Sequence, residues 1–296
     1  MILGYNTNGY AHHRLEDAIE IIAELGYGGI ALTPDVNHLN LFRNSDGVAT
    51  RQFRNHLDKA NLRCVVETGA RFLLDPRRKH QPTILSPTLP DRIARRDFLQ
   101  LAVVFSPMLR ADCVSFWSGT ATDDAPHTEL MGRLVDECKQ LADYAAAKNV
   151  RLAFEPEPGM FIDTMDKFAE LHARVNHPFF GLTLDVGHLV CMNELPISKY
   201  IHQWKHCLWN VHLDDMKRGV HDHLMFGEGE VDFDDVFTAL KAIDYIGMAS
   251  VELSRHSYDA VNAATKSIQF LKPYFTSPSD SKSQSLVSAS HRLRHN

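Results

Sequence analysis

Apolar and polar residues alternate along four short runs in the second half of the chain, so that each run has two unlike faces. The runs are RLAFE, FGLTLD, LWNVH and MASVE, and they end on Glu155, Asp185, His212 and Glu252. Ala153 and Glu155, Thr183 and Asp185, Asn210 and His212, and Ser250 and Glu252 share one parity. Leu152, Phe154, Leu182, Leu184, Trp209, Val211, Val251 and Leu253 share the other. Side chains alternate across a strand, so one face is small or polar and carries the terminal residues, while the other packs under helices. The terminal residues stand 30, 27 and 40 positions apart, room for a helix and two loops between parallel strands.

Four further strands are predicted in the first half: MILGYN, GGIALT near 28 to 33, LRCVVET near 62 to 68 and DCVSFW near 112 to 117. Between them lie segments with apolar residues at three- and four-residue spacing, such as LEDAIEIIAELGY from Leu15 and a long one from His127. Gly26 and Asn149 suit helix ends, and the acidic DFDDVF suits a helix start. Eight strand–helix alternations predict a closed (β/α)8 barrel of the α/β class over residues 1 to 275. The remainder, residues 276 to 296, is Ser-rich and too polar to bury a core, and a disordered tail is expected there.

Composition narrows the partners. With 296 residues, 44% of them apolar, the chain can bury one large core. A net charge of −6 argues against nucleic acid, which wants clustered Lys and Arg. No apolar run reaches the roughly 18 residues of a membrane span, and the start MILGYNTNGYAHHR has no signal-like stretch, so a cytoplasmic location is expected. Five scattered cysteines without a CxxC pair read as reduced core residues.

In such a barrel the chemistry sits at the C-terminal ends of the strands, where Glu155, Asp185, His212 and Glu252 fall. Any one buried acid there is explained by a helix cap or an ion pair. Four such residues on successive strands point instead to a metal, because their unpaired buried carboxylates would repel one another without a cation, and three carboxylates with one imidazole suit Mn²⁺, Mg²⁺, Co²⁺ or Zn²⁺. Glu157 shares the parity of Glu155 and is an alternate ligand, base or substrate contact.

The segments FEPEPG, LDVGH, VHLDDMKRG, FGEGEVDF and SVELS together resemble the xylose-isomerase-like TIM barrels. That superfamily includes sugar epimerases, hydroxypyruvate isomerase, inosose dehydratase and three-zinc apurinic-site endonucleases. The resemblance implies that Glu155, Asp185, His212 and Glu252 hold one divalent metal and that His188 and Arg218 face substrate oxygens. His221 and His223 lie where the endonuclease branch holds a further metal with the counterpart of His188; they hold a second ion, line a sugar pocket or decorate a wet loop. Glu67 and Trp117 stand near the positions where that branch presents histidines, which argues against a complete three-metal cluster and makes both candidate substrate contacts.

For the sugar branch the implied reaction is isomerisation or epimerisation of a polyol or keto-sugar through a metal-stabilised enediolate, with Glu155 and Glu252 as the base and acid on opposite faces. A dehydratase acting on a keto-sugar or keto-cyclitol is the alternative from the same intermediate, and an abasic-DNA endonuclease a more distant one. The basic loop after strand three, with Arg71, Arg77, Arg78, Lys79 and His80, either neutralises a substrate phosphate or carboxylate or is a solvated lid. A homo-oligomer is compatible with barrels of this type.

Overall fold

The computed structural model describes residues 1 to 44 and 47 to 275. Eight parallel strands close one barrel: β1 (Ile2–Asn6), β2 (Gly29–Leu32), β3 (Arg63–Glu67), β4 (Val114–Phe116), β5 (Leu152–Phe154), β6 (Phe180–Asp185), β7 (Leu208–Leu213) and, after the hairpin β8 (Asp215–Lys217) and β9 (Val220–Leu224), β10 (Met248–Val251). β1 completes the ring on β10, with Gly4 opposite Ser250. These eight are the predicted strands. The antiparallel β8–β9 pair falls within a stretch with no predicted element and carries His221 and His223. The expected tail lies outside the described residues.

The helices are α1 (Leu15–Glu24), α2 (Val48–Ala60), α3 (Leu89–Leu109), α4 (His127–Ala146), α5 (Met165–Val175), α6 (Val186–Cys191), α7 (Ile197–Trp204), α8 (Phe233–Ala242) and α9 (Ala260–Phe275). Helical periodicity decides which faces they bury. α1 buries Leu15, Ala18, Ile19 and Ile22, and α4 buries Leu130, Leu134, Cys138 and Leu141. Each fully buried Leu or Ile contributes about 1.5 to 3 kcal/mol relative to exposure. Gly26 (φ 96°) and Asn149 (φ 55°) turn the chain out of α1 and α4 as their types predict. Asp232 caps α8 by accepting from the Asp235 amide at 3.0 Å. All five cysteines are buried free thiols, and no described helix is long and apolar enough to cross a membrane.

Three layers fill the barrel. At the bottom Met248 packs with Val65, Cys113 and Ala153. Its thioether occupies space that any side chain at Gly4 or Gly29 would take, since a Cβ there would stand 2.6 or 2.5 Å from Met248. Above lies a buried polar layer of Ser115, Thr183, Asn210 and Ser250. Thr183 Oγ1 donates to Ser115 Oγ at 2.9 Å. The top layer is acidic, and its side chains come from the parity expected of the inner faces. On the outer parity, Leu152, Phe154, Leu182, Leu184, Val211, Val251 and Leu253 join the main core. Trp209 departs from this pattern. A register shift between Leu182 and Thr183 lets β7 bulge, so Trp209 also packs against the bottom layer of the lumen.

Candidate active site

β5, β6, β7 and β10 deliver Glu155, Asp185, His212 and Glu252 to one point at the C-terminal mouth, with one ligand atom from each within 4.8 Å of all the others. The Nδ1 edge of His212 lies 2.8 Å from Glu252 Oε2, 2.9 Å from Glu155 Oε1 and 4.0 Å from Asp185 Oδ2. The opposite edge is also engaged: Nε2 lies 2.9 Å from Glu67 Oε1, which accepts from Asn210 Nδ2 at 2.8 Å. Glu67, expected to touch substrate, therefore braces the imidazole, although it still borders the cavity.

Local structure orients each acid. Asp185 ends β6 and caps α6, with Oδ1 accepting from the His188 amide at 2.9 Å. Its buried Oδ2 has no hydrogen-bond partner among the described residues. Asn8, in the 3-10 turn after β1, donates from Nδ2 to Glu252 Oε1 at 2.8 Å. A polar residue in the first βα turn was the available sequence signal for Asn8, but Asn is also an ordinary turn residue. An orphaned carboxylate oxygen beside the buried Glu155 and the half-buried Glu252 fits a divalent cation, because like charges at this spacing are costly unless neutralised.

The protein groups alone separate the two glutamates. Burial, with Glu252 and Asp185 adding to it against the opposing pull of His212, pushes the Glu155 carboxyl up to about 8. Burial also opposes charge on Glu252, yet His212, His223 and Asn8 outweigh it and hold that carboxyl well below its usual range. Burial disfavours charge on His212 too, but Glu67, Glu155 and Glu252 hold the imidazole far above its ordinary value.

A second cluster adjoins the first. His188 directs Nδ1 to the Pro156 carbonyl at 3.0 Å, leaving Nε2, beside His221 and His223, without a hydrogen-bond partner among the described residues. One ring nitrogen from each of these three histidines lies within 4.8 Å of the others. His223 Nδ1 stands 2.5 Å from the buried Asp214 Oδ2, a partner that sequence reading passed over although Asp214 shares the parity of Asn210 and His212, because it lies just beyond the last residue of β7. The hairpin is held by Asp215, whose carboxylate accepts from the amides of Gly227, Gly229 and Val231 at 2.9 to 3.0 Å, so FGEGEV is a loop wound on one acid.

The cavity over these groups has a volume of about 290 Å³. Glu157, Trp117, Arg71, His188, His221 and His223 line it, as does Lys79 of the basic loop, together with Asn8 and Arg255, which were not singled out as contacts at this mouth. Arg218 does not join them. It sits exposed at the β8–β9 turn, where its Nε lies 3.4 Å from Glu230 Oε2, because the hairpin turns it away from the barrel axis. Phe116 and Tyr10 are fully buried core residues, and His38 spends its Nε2 on the His13 carbonyl at 3.0 Å.

Comparison with known proteins agrees with this architecture. The family model described as xylose isomerase-like TIM barrel matches residues 19–274. An L-ribulose-5-phosphate 3-epimerase of Salmonella paratyphi A is 30% identical over 125 residues, 42% of this chain and 44% of that protein, so the match spans less than half the length of the relative. D-allulose 3-epimerase from Methylomonas sp., solved with D-allulose, superposes with a TM-score of 0.74 at 20% identity, covering 93% of this chain and 97% of that one. The IOLI protein, solved with a bound zinc atom, gives 0.73 at 18% identity over 94% of this chain and 100% of that one. At those identities the two structures speak for the fold alone. With nearly the whole described barrel inside the matched region, the chain belongs to the xylose isomerase-like TIM barrel family.

Proposed function

We propose that the chain is a divalent-metal-dependent isomerase or epimerase of a sugar or related hydroxy-carbonyl compound. The observation that carries this reading is the convergence of Glu155, Asp185, His212 and Glu252 on one point in a polar cavity at the barrel mouth. A cation bound there supplies positive charge against the negative charge that develops when a proton leaves a carbon beside a carbonyl. The donor set favours Mn²⁺, Mg²⁺, Co²⁺ or Zn²⁺. The relative acting on ribulose phosphate and the neighbours solved with D-allulose and with zinc support a small keto-sugar substrate and a divalent ion.

Glu252, steered by Asn8, serves as the base that takes the carbon proton, and Glu155, across the site from it, serves as its partner in returning one. They come from β10 and β5, on different sides of the barrel, which suits proton exchange on two faces of an enediolate. His188, Trp117, Glu157 and Arg71 border the space left for substrate. A dehydratase uses the same proton abstraction followed by loss of a β-hydroxyl, so it is the second reading. Glu67 at the end of β3 and Trp117 just after β4 offer no imidazole, which weighs against a multi-metal nuclease. The His188–His221–His223 cluster offers nitrogen donors to a second ion. The test is solvent deuterium exchange with a keto-sugar panel, followed by NMR: label at a carbon next to a carbonyl supports the reading, and abasic-duplex cleavage without exchange rejects it.

A further inference from the structure

The cavity carries opposite charges at its two ends. Glu155 and Glu252 crowd its floor, while Arg71, Lys79 and Arg255 face the same space from the rim. Arg255 is already engaged, with Nη1 2.6 Å from Asp222 Oδ1 and Nη2 donating to the His221 carbonyl at 3.2 Å. Arg71 and Lys79 have no ion-pair partner among the described residues. Asp35, beside Arg71, spends its carboxylate on the backbone amides of Val36 at 2.7 Å and Arg71 at 3.3 Å. The cations sense one another: burial draws the Lys79 ammonium below its ordinary value, Arg71 and Arg255 draw it the same way, and Glu157 opposes them.

Like charges gathered without counter-charge repel, and a loose loop would relax by swinging them apart. This loop is not loose. Arg95, 4% exposed, donates Nε to the Pro82 carbonyl at 3.0 Å, Nη2 to His80 at 2.9 Å and Nη1 to Thr68 at 3.5 Å, and its guanidinium lies 4.6 Å from the centre of the Trp117 ring. One buried side chain thus pins both ends of the segment that presents Arg71 and Lys79.

We propose that Arg71 and Lys79 form a seat for an anionic group on the substrate, a phosphate or a carboxylate, so that the enzyme acts on an anionic hydroxy-carbonyl compound in preference to a neutral sugar. The seat deepens the reading given under Proposed function and rests on it for the chemistry at the floor. Guanidinium and ammonium donors together match the clustered oxygens of either anion through charge-assisted hydrogen bonds.

The experiment uses metal-loaded full-length protein and an Arg71→Ala/Lys79→Ala double variant whose fold is checked by circular dichroism. Deuterium exchange is measured on ketopentose 5-phosphates against free ketopentoses, and on hydroxypyruvate against dihydroxyacetone. At least a tenfold preference in kcat/KM for one anionic member over its neutral counterpart, lost in the double variant, is expected. Preference for the sugar phosphates identifies phosphate, and preference for hydroxypyruvate identifies carboxylate. Neutral compounds exchanging as fast as anionic ones, or a preference that survives in the variant, overturns the seat while leaving the isomerase reading intact. Exchange on no compound defeats the isomerase reading, and calorimetric titration with inorganic phosphate then decides the seat. Binding weakened at least tenfold in the variant upholds it; equal binding, or none to either protein, overturns it.

Discussion

His212 and Glu67 meet through Nε2 and Oε1 at 2.9 Å, on the side of the imidazole turned away from Glu155 and Glu252. A carboxylate there fixes the ring orientation and raises the basicity of the nitrogen that faces the acids. Glu67→Gln is expected to weaken divalent-metal affinity by about 10- to 100-fold with little loss of helical signal. Manganese titration calorimetry on the two proteins measures this, and unchanged affinity would show that Glu67 is a passive neighbour.

Glu252→Gln keeps the volume and the hydrogen bond to Asn8 but removes the base. Turnover is expected to fall by at least about 10²-fold while the fold persists. Single-turnover deuterium exchange is the readout, and a fully active Gln variant would remove Glu252 from the proton-transfer pair.

Metal binding has a defined pH dependence. Ligation needs Glu155 ionised and His212 neutral at its ligating nitrogen, yet the protein groups hold both protonated near neutrality, Glu155 up to about 8 and His212 far above its usual value. Each proton displaced makes affinity rise about tenfold per pH unit below the relevant pKa. Affinity is therefore expected to climb from pH 6 to pH 8, with proton release visible as a buffer-dependent binding enthalpy. A flat profile would mean that these groups are not displaced.

His223→Ala breaks the contact with Asp214 but leaves the four principal ligands untouched. Metal analysis is expected to show the same stoichiometry as the unaltered protein if one ion is held, whereas loss of half the bound metal would establish a second ion among the three histidines.

Arg95→Met retains apolar volume but deprives the Thr68, His80 and Pro82 carbonyls of their donor. About 3 kcal/mol of destabilisation is expected, since removing a buried charged donor leaves its acceptors unpaired. Urea denaturation gives the magnitude, and hydrogen exchange should rise first in residues 68 to 82.

The four ligands are legible in the chain because two independent signals coincide on them: period-two alternation sets the face, and strand spacing sets the end. Glu67 is legible as a lumen-facing residue but not as a partner of His212, because 145 residues separate them and only barrel closure brings them together. The same holds for Asn8 and Glu252, 244 residues apart. Arg218 misleads for a different reason. Its motif position says where the chain passes, while the β8–β9 turn decides where the side chain points, and the exposed Glu230 beside it supplies an alternative partner. Trp209 shows the limit of parity itself, since one bulge is enough to redirect a side chain.

Met248 and Glu252 belong to the same rigid stave of the barrel, four positions apart along β10 and its end. The thioether wedged beneath Gly4 and Gly29 acts as a depth stop, fixing how far that stave can slide and hence the height at which the Glu252 carboxylate meets its neighbours. A substitution at the sealed end of the barrel, some 13 Å from the mouth at about 3.3 Å per residue, would thus be read out in proton transfer rather than in stability alone.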